Sequence, residues 1–126
     1  MARRRSLPNQ VAKYRNKKVQ YDGYKFDSIR ECERYKELCL LQDAGEITCL
    51  EVQPKFPLRC GDAEIKIRSG RYPNGRRVSY YADFAYRDER TGKRIVEDVK
   101  GQDTPVSRLK RAIVEAQYGV PVTIVR

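Results

Sequence analysis

The stretch SYYADFAYRDERTGKRIVEDVKG, from Ser79 to Gly101, reads as two neighbouring strands. Ser79 to Tyr86 is rich in strand formers, and Asp88, Glu89, Arg90, Thr91 and Gly92 after it have turn composition. A hairpin is the economical connection. Side chains alternate along a strand, so Asp98 and Lys100 share one face while Glu97 and Val99 take the other. The pairing is expected to bring Asp83, Asp98 and Lys100 to one spot.

Two carboxylates meeting a lysine on adjacent strands suit phosphodiester hydrolysis. Carboxylates offer hard oxygen ligands to Mg²⁺ or Mn²⁺, such an ion polarises a phosphoryl group and acidifies a bound water, and a lysine can orient that water or balance developing charge. In a chain that is 35% charged, the ordinary alternative is a solvated strand face.

The remainder of the chain constrains that choice. At 126 residues it is expected to form one domain over residues 17–126, preceded by a basic arm at residues 1–16 without periodicity. Lys+Arg 27 against Asp+Glu 17 leaves a net charge of +10. Arg3, Arg4, Arg5, Lys13, Arg15, Lys17 and Lys18 crowd into the first 18 residues with no acid among them. Such a balance favours a polyanionic partner, nucleic acid first, with a solubilising tail as the alternative. No apolar run approaches a membrane span and no signal segment follows the early arginines, so a cytoplasmic protein is expected. There is no histidine, which excludes His-based general bases, Ser–His and Cys–His hydrolases and mixed Cys/His zinc sites. Cys32, Cys39, Cys49 and Cys60 form no close pair and read as reduced, structural thiols.

In chain order, Val19 to Phe26 reads as a short hairpin turning at Asp22-Gly23. Ser28 and Glu31 make a capping box that opens a helix to about Asp43, with Gly45 just past its end. Its apolar stripe is expected to hold Ile29, Cys32, Tyr35, Leu38, Cys39 and Leu40, with Glu31 on that side and Glu33 solvated. Glu31 is then a capping residue, a site residue, or both. Ile47 to Gln53 and Lys55 to Cys60 read as extended, and Ala63 to Arg68 as a half-exposed strand with Ile65 and Ile67 inward. Arg71, Arg76 and Arg77 sit in a basic, acid-free loop region that includes Tyr72 and would reach along a phosphate backbone; a solvated turn is the plainer outcome. Thr104-Pro105 starts a second helix that stops at Gly119, with Leu109, Ala112, Ile113 and Ala116 inward and Arg108, Lys110 and Arg111 placed for phosphates. Gln117 is a further substrate-facing candidate, with helix-end capping as its alternative. A short strand from Pro121 to Val125 closes the chain.

The order of helix, strands, helix and strand, with Asp83 on one strand and Asp98-x-Lys100 on the next, resembles the PD-(D/E)XK nuclease superfamily and its αβββαβ restriction-endonuclease-like core. Four segments, KYRNKKVQYDGYKFDSIRECERY, LEVQPKF, YYADFAY and VEDVKG, are also similar in order to a small phage and prophage family grouped with endonuclease and Holliday-junction-resolvase-like proteins. The resemblance covers about residues 13–125. It implies an α/β (α+β) fold with a central mixed sheet flanked by helices. It assigns Asp83 as the first metal ligand, Asp98 as the acid and Lys100 as the lysine of (D/E)-x-Lys, and Glu31 as the helix acid. The backbone carbonyl of Val99 would join the ligands, and Gln53 would be an auxiliary residue, or simply a strand-end amide. Two departures stand out: Ala82 replaces the nominal proline before Asp83, and Asp98 stands where glutamate is common. They leave Glu97 as a rival that strand parity alone disfavours.

The resulting expectation is a Mg²⁺- or Mn²⁺-dependent endodeoxyribonuclease, with branched or junction DNA among its substrates. A junction-cleaving enzyme would work as a symmetric homodimer. The alternatives are a DNA-binding or nucleoprotein-interaction module that keeps the fold without turnover, and a basic RNA-associated protein.

Overall fold

The computed structural model describes residues 17–126. The chain divides into two compact units, Met1–Leu40 and Leu41–Arg126, with the boundary inside the first helix. In the first unit, β1 (Val19–Tyr21) and β2 (Tyr24–Phe26) pair antiparallel around Asp22 and Gly23, both at positive φ, as the turn composition requires. The helix α1 (Ile29–Asp43) then starts after Ser28, with the Glu31 side chain reaching back to the residue before the cap. The Glu31 N–H donates to Ser28 Oγ at 3.1 Å, and the Glu31 carboxylate accepts from the Asp27 N–H at 3.2 Å. Cys32, Tyr35 and Leu38 are buried as expected, and Glu33 is exposed. Ile29 and Leu40 are exposed, so the inward stripe is narrower than the apolar pattern suggested. The Tyr35 ring gathers Tyr21, Tyr24 and Phe26 at centroid distances of 6.2, 5.6 and 5.3 Å.

The second unit is built on a mixed four-stranded sheet in the order β12-β11-β10-β3. Strands β3 (Ile47–Val52), β10 (Phe84–Asp88) and β11 (Arg94–Val99) are antiparallel neighbours, and β12 (Val122–Val125) lies parallel to β11. A parallel neighbour needs a crossover, and the helix α2 (Pro105–Tyr118) supplies it. Its ends match the sequence: Thr104 caps the Ser107 N–H, Pro105 opens the first turn, and Gly119 closes the helix in the left-handed region. A bulge interrupts the β3–β10 ladder opposite Tyr86, where Cys49 takes a positive φ. Cys49 and Cys60 are exposed, so neither is a packed thiol; all four cysteines are free.

Three expectations are corrected here. Ser79 to Tyr86 is not one strand: β9 (Ser79–Tyr81) pairs with β4 (Lys55–Pro57), and β10 begins only at Phe84. Between them the backbone changes partners, since the Ala82 N–H reaches the Pro54 carbonyl at 3.2 Å and the Asp83 N–H reaches the Glu97 carbonyl at 3.0 Å. Opposite that corner Gln53 turns at positive φ, donating its N–H to the Asp83 carbonyl at 2.8 Å. Ala63 to Arg68 is likewise two short pieces, β6 (Ala63–Glu64) paired with β5 (Arg59–Cys60), and β7 (Lys66–Ile67) paired with β8 (Arg76–Arg77). Ile65 packs inward whereas Ile67 is exposed.

The third correction concerns α2: of the expected stripe, Ile113 packs inward and the other three residues do not. Leu109 is 62% exposed and Ala112 and Ala116 are exposed too, while Val114 is fully buried. Val114 joins Phe56, Leu58, Ala85, Val96 and Val122 in the core, with Ile113 against them. The helix thus covers the sheet face that carries Ala85 and Val96, and by parity Asp98. Among the described residues, no helix is long and apolar enough to cross a membrane.

Candidate functional site

The register of the β10–β11 hairpin positions the acids. Phe84, the first residue of β10, stands opposite Glu97, and Asp83 lies at the corner just before it. Asp83 is tied to both neighbours of Asp98: its N–H donates to the Glu97 carbonyl at 3.0 Å, and its Oδ2 accepts from the Val99 N–H at 2.7 Å. The Lys100 ammonium lies 3.4 Å from Asp98 Oδ2. Lys100 follows the last residue of β11, and its N–H is held by the Val125 carbonyl at 2.9 Å. Asp98 and Lys100 therefore meet at the end of β11, and Asp83 is bonded to the residues on either side of Asp98.

Parity also separates the two adjacent acids. Glu97 and Asp98 are 2% and 3% exposed, so burial does not distinguish them. Glu97 accepts a hydrogen bond from Tyr86 on one face, and Asp98 accepts one from Tyr80 on the other, where Lys100 lies. Burial, and then the bond to Asp98, hold the Tyr80 hydroxyl well above its usual ionisation range, with Asp83 adding in the same direction. Tyr80 thus serves as a neutral donor among carboxylates. Sequence reasoning missed it because its partner is 18 residues away.

Arg111 is the second missed member. Its guanidinium grips Asp103 in a fork, Nη1 to Oδ1 at 2.9 Å and Nη2 to Oδ2 at 2.5 Å, and its charge is felt by Tyr80 and Asp98. Arg111 was expected to face phosphate; the structure instead half-buries it on the inner side of α2, paired to an acid. The bond to Arg111 holds the Asp103 carboxyl below its ordinary range. Such a carboxyl binds fewer protons folded than unfolded. Its stabilisation is therefore complete above the unfolded pKa of about 3.9 and is lost as the pH falls through the lower folded value. The melting temperature should accordingly drop further between about pH 7 and about pH 3 in the wild type than in Asp103→Asn, which lacks this linkage. Equal drops in the two proteins would contradict the pairing.

Among the described residues no three His, Cys, Asp or Glu side chains form a group able to hold a metal ion. Glu31 belongs to the first unit, where its carboxylate performs the capping described above.

The sequence profile of a family described as "Protein of unknown function (DUF1064)" matches residues 11–125. The chain belongs to the DUF1064 family. No curated protein and no solved structure matches it.

The remaining candidates of this DUF1064 chain fall into distinct places. Arg3, Arg4, Arg5, Lys13 and Arg15 lie outside the described residues, as does the expectation of an unstructured arm. Lys17 and Lys18 are exposed before β1. Arg71 is exposed, the Arg76 guanidinium lies 5.4 Å from the Tyr72 ring, and Arg77 is ion-paired to Glu64. Arg108 is exposed and donates to the Asp103 carbonyl at 3.2 Å. Lys110 is half-buried at the edge of an open groove. Gln117 Oε1 accepts from the Arg59 N–H at 3.0 Å, a packing role rather than a place at the acids. Gln53 is the opposite case, because its main chain is bonded to Asp83.

Proposed function

We propose that this protein is a Mg²⁺- or Mn²⁺-dependent endonuclease acting on DNA. The observation that carries the reading is Asp83 bonded to the main chain on both sides of Asp98, with the Lys100 ammonium 3.4 Å from Asp98 Oδ2. The element order α1, β3, β10, β11, α2, β12 follows an αβββαβ pattern, with β4 to β9 as an excursion, and supports a restriction-endonuclease-like core.

The donor set fits the ion. Mg²⁺ keeps several waters and takes one or two protein carboxylates, so a pair of acids is enough where a closed cage of three or four is not required. Asp83 and Asp98, with the Val99 carbonyl, would hold it. When bound, it would polarise a phosphoryl oxygen and lower the pKa of a water. The chain's own residues do the rest. Asp98 fixes the lysine, and Lys100 orients the attacking water and offsets charge building on the phosphate. Tyr80 locks the Asp98 carboxylate, and the Val99 N–H locks that of Asp83. Arg71, Arg76, Arg108 and Lys110 supply phosphate contacts that do not depend on sequence, so affinity falls steeply with salt.

Labelled four-way junction, flap, single-stranded and linear duplex DNA, each with Mg²⁺, Mn²⁺ or EDTA, test the reading beside Lys100→Ala. Metal-dependent cutting by wild type, slowed by about 10²-fold or more in Lys100→Ala, is the expected result. Preference for the junction together with a stable dimer would identify the resolvase subtype. If wild type binds these DNAs and cuts none with either metal, the chain is a binding module and the proposal fails.

A further inference from the structure

An open groove of the second unit, about 670 Å³, runs beside β9 and the β7–β8 ribbon and is lined by ten residues, none of them acidic. Lys55, Arg76, Arg77 and Lys110 give it four cationic side chains, which suits a phosphodiester chain. Phosphate contacts alone do not explain its two tyrosines. Tyr72 is 39% exposed and Tyr81 is 59% exposed, and both rings line the groove. Each is approached by a cation, Arg76 at 5.4 Å from the Tyr72 centroid and Lys55 Nζ at 6.0 Å from that of Tyr81.

We infer that this groove is a track for single-stranded DNA, with bases stacking on Tyr72 and Tyr81 while the cations follow the backbone. In a duplex the bases are already stacked on one another and turned away from the protein, so exposed rings gain little. A single strand presents both phosphates and base faces, and an aromatic platform in a basic groove accepts both without regard to sequence. A smaller groove of about 340 Å³ shares Ser79, Tyr81 and Lys110 with the first and adds Tyr80, whose hydroxyl is bonded to Asp98. Strand alternation sets Tyr80 inward to Asp98 and Tyr81 outward to the groove. The inference deepens the nuclease proposal and rests on it for any cleavage of the bound strand, while strand binding itself requires no metal.

Binding is therefore measured in EDTA, by fluorescence anisotropy of labelled oligothymidylate, oligouridylate and a duplex of equal length, with the full chain. Wild type is expected to prefer the DNA single strand to both. Tyr72→Ala and Tyr81→Ala should each weaken it by roughly 5- to 100-fold, the range of one base–aromatic stack, whereas Tyr72→Phe and Tyr81→Phe should stay close to wild type. The inference is overturned if duplex or RNA binds as tightly as the DNA single strand, or if both alanine variants, shown folded by circular dichroism, bind like wild type. Should an alanine variant fail to fold, the strand preference of wild type still decides. Because the readout needs no cleavage, preference without metal-dependent cutting would sink the nuclease reading and leave the track, and cutting without preference would do the reverse.

Discussion

Asp98→Asn is expected to abolish metal-dependent DNA cleavage while leaving the protein folded. Asparagine keeps the size of the buried side chain and an oxygen for the Tyr80 hydroxyl, so the packing around β11 changes little. It removes the charge that a divalent cation needs and the partner of Lys100 at 3.4 Å. A loss on the order of 10²- to 10³-fold or more in single-turnover rate follows from the removal of one preorganised electrostatic contact. Glu97→Gln is the informative control. Glu97 is the adjacent acid and equally buried, but it faces Tyr86 on the opposite side of the strand, so its variant should cleave like wild type. A loss in Glu97→Gln with activity kept in Asp98→Asn would mean that the site lies on the other face of the sheet.

Phe84→Ala should produce the largest loss of stability. Phe84 is fully buried and lies on β10, the strand flanked by β3 and β11, opposite both Val52 and Glu97. Truncating a buried phenylalanine typically costs about 3–5 kcal/mol, a large part of the roughly 5–15 kcal/mol that holds a domain together. Urea denaturation should therefore show a midpoint far below that of wild type. Phe84 directly follows Asp83, so any residual folded fraction should also cleave poorly. A cost below about 1 kcal/mol would show that the sheet tolerates a cavity beside the acids.

Local rules carried much of this architecture. Asp22-Gly23, Ser28 with Glu31, and Thr104-Pro105 with Gly119 each encode a turn or cap in a few adjacent residues, and all three formed as expected. Parity placed Asp98 with Lys100 for the same reason: alternation is a property of the strand itself. Long-range partners were not legible. The corner at Ala82–Asp83 exists because the chain leaves β4 for β11, and nothing local in YYADFAY marks that exchange. The inner face of α2 was misassigned because Leu109 and the alanines fit a helical stripe as well as Val114 does. What turned the helix was a core formed by distant strands, together with an Asp103 that allows Arg111 to lie half-buried. Tyr80 and the Tyr72–Tyr81 groove escaped notice for the same reason, since their neighbours come from separate stretches of the chain.

The most direct test of the central claim is strand scission of supercoiled plasmid and four-way junction DNA by the purified wild-type chain, first with Mg²⁺, then with EDTA, then with Mg²⁺ restored. The arrangement of Asp83, Asp98 and Lys100 predicts nicking that stops on chelation and resumes with the ion. Intact DNA throughout, with the protein bound to it and Mn²⁺ equally inactive, would contradict it.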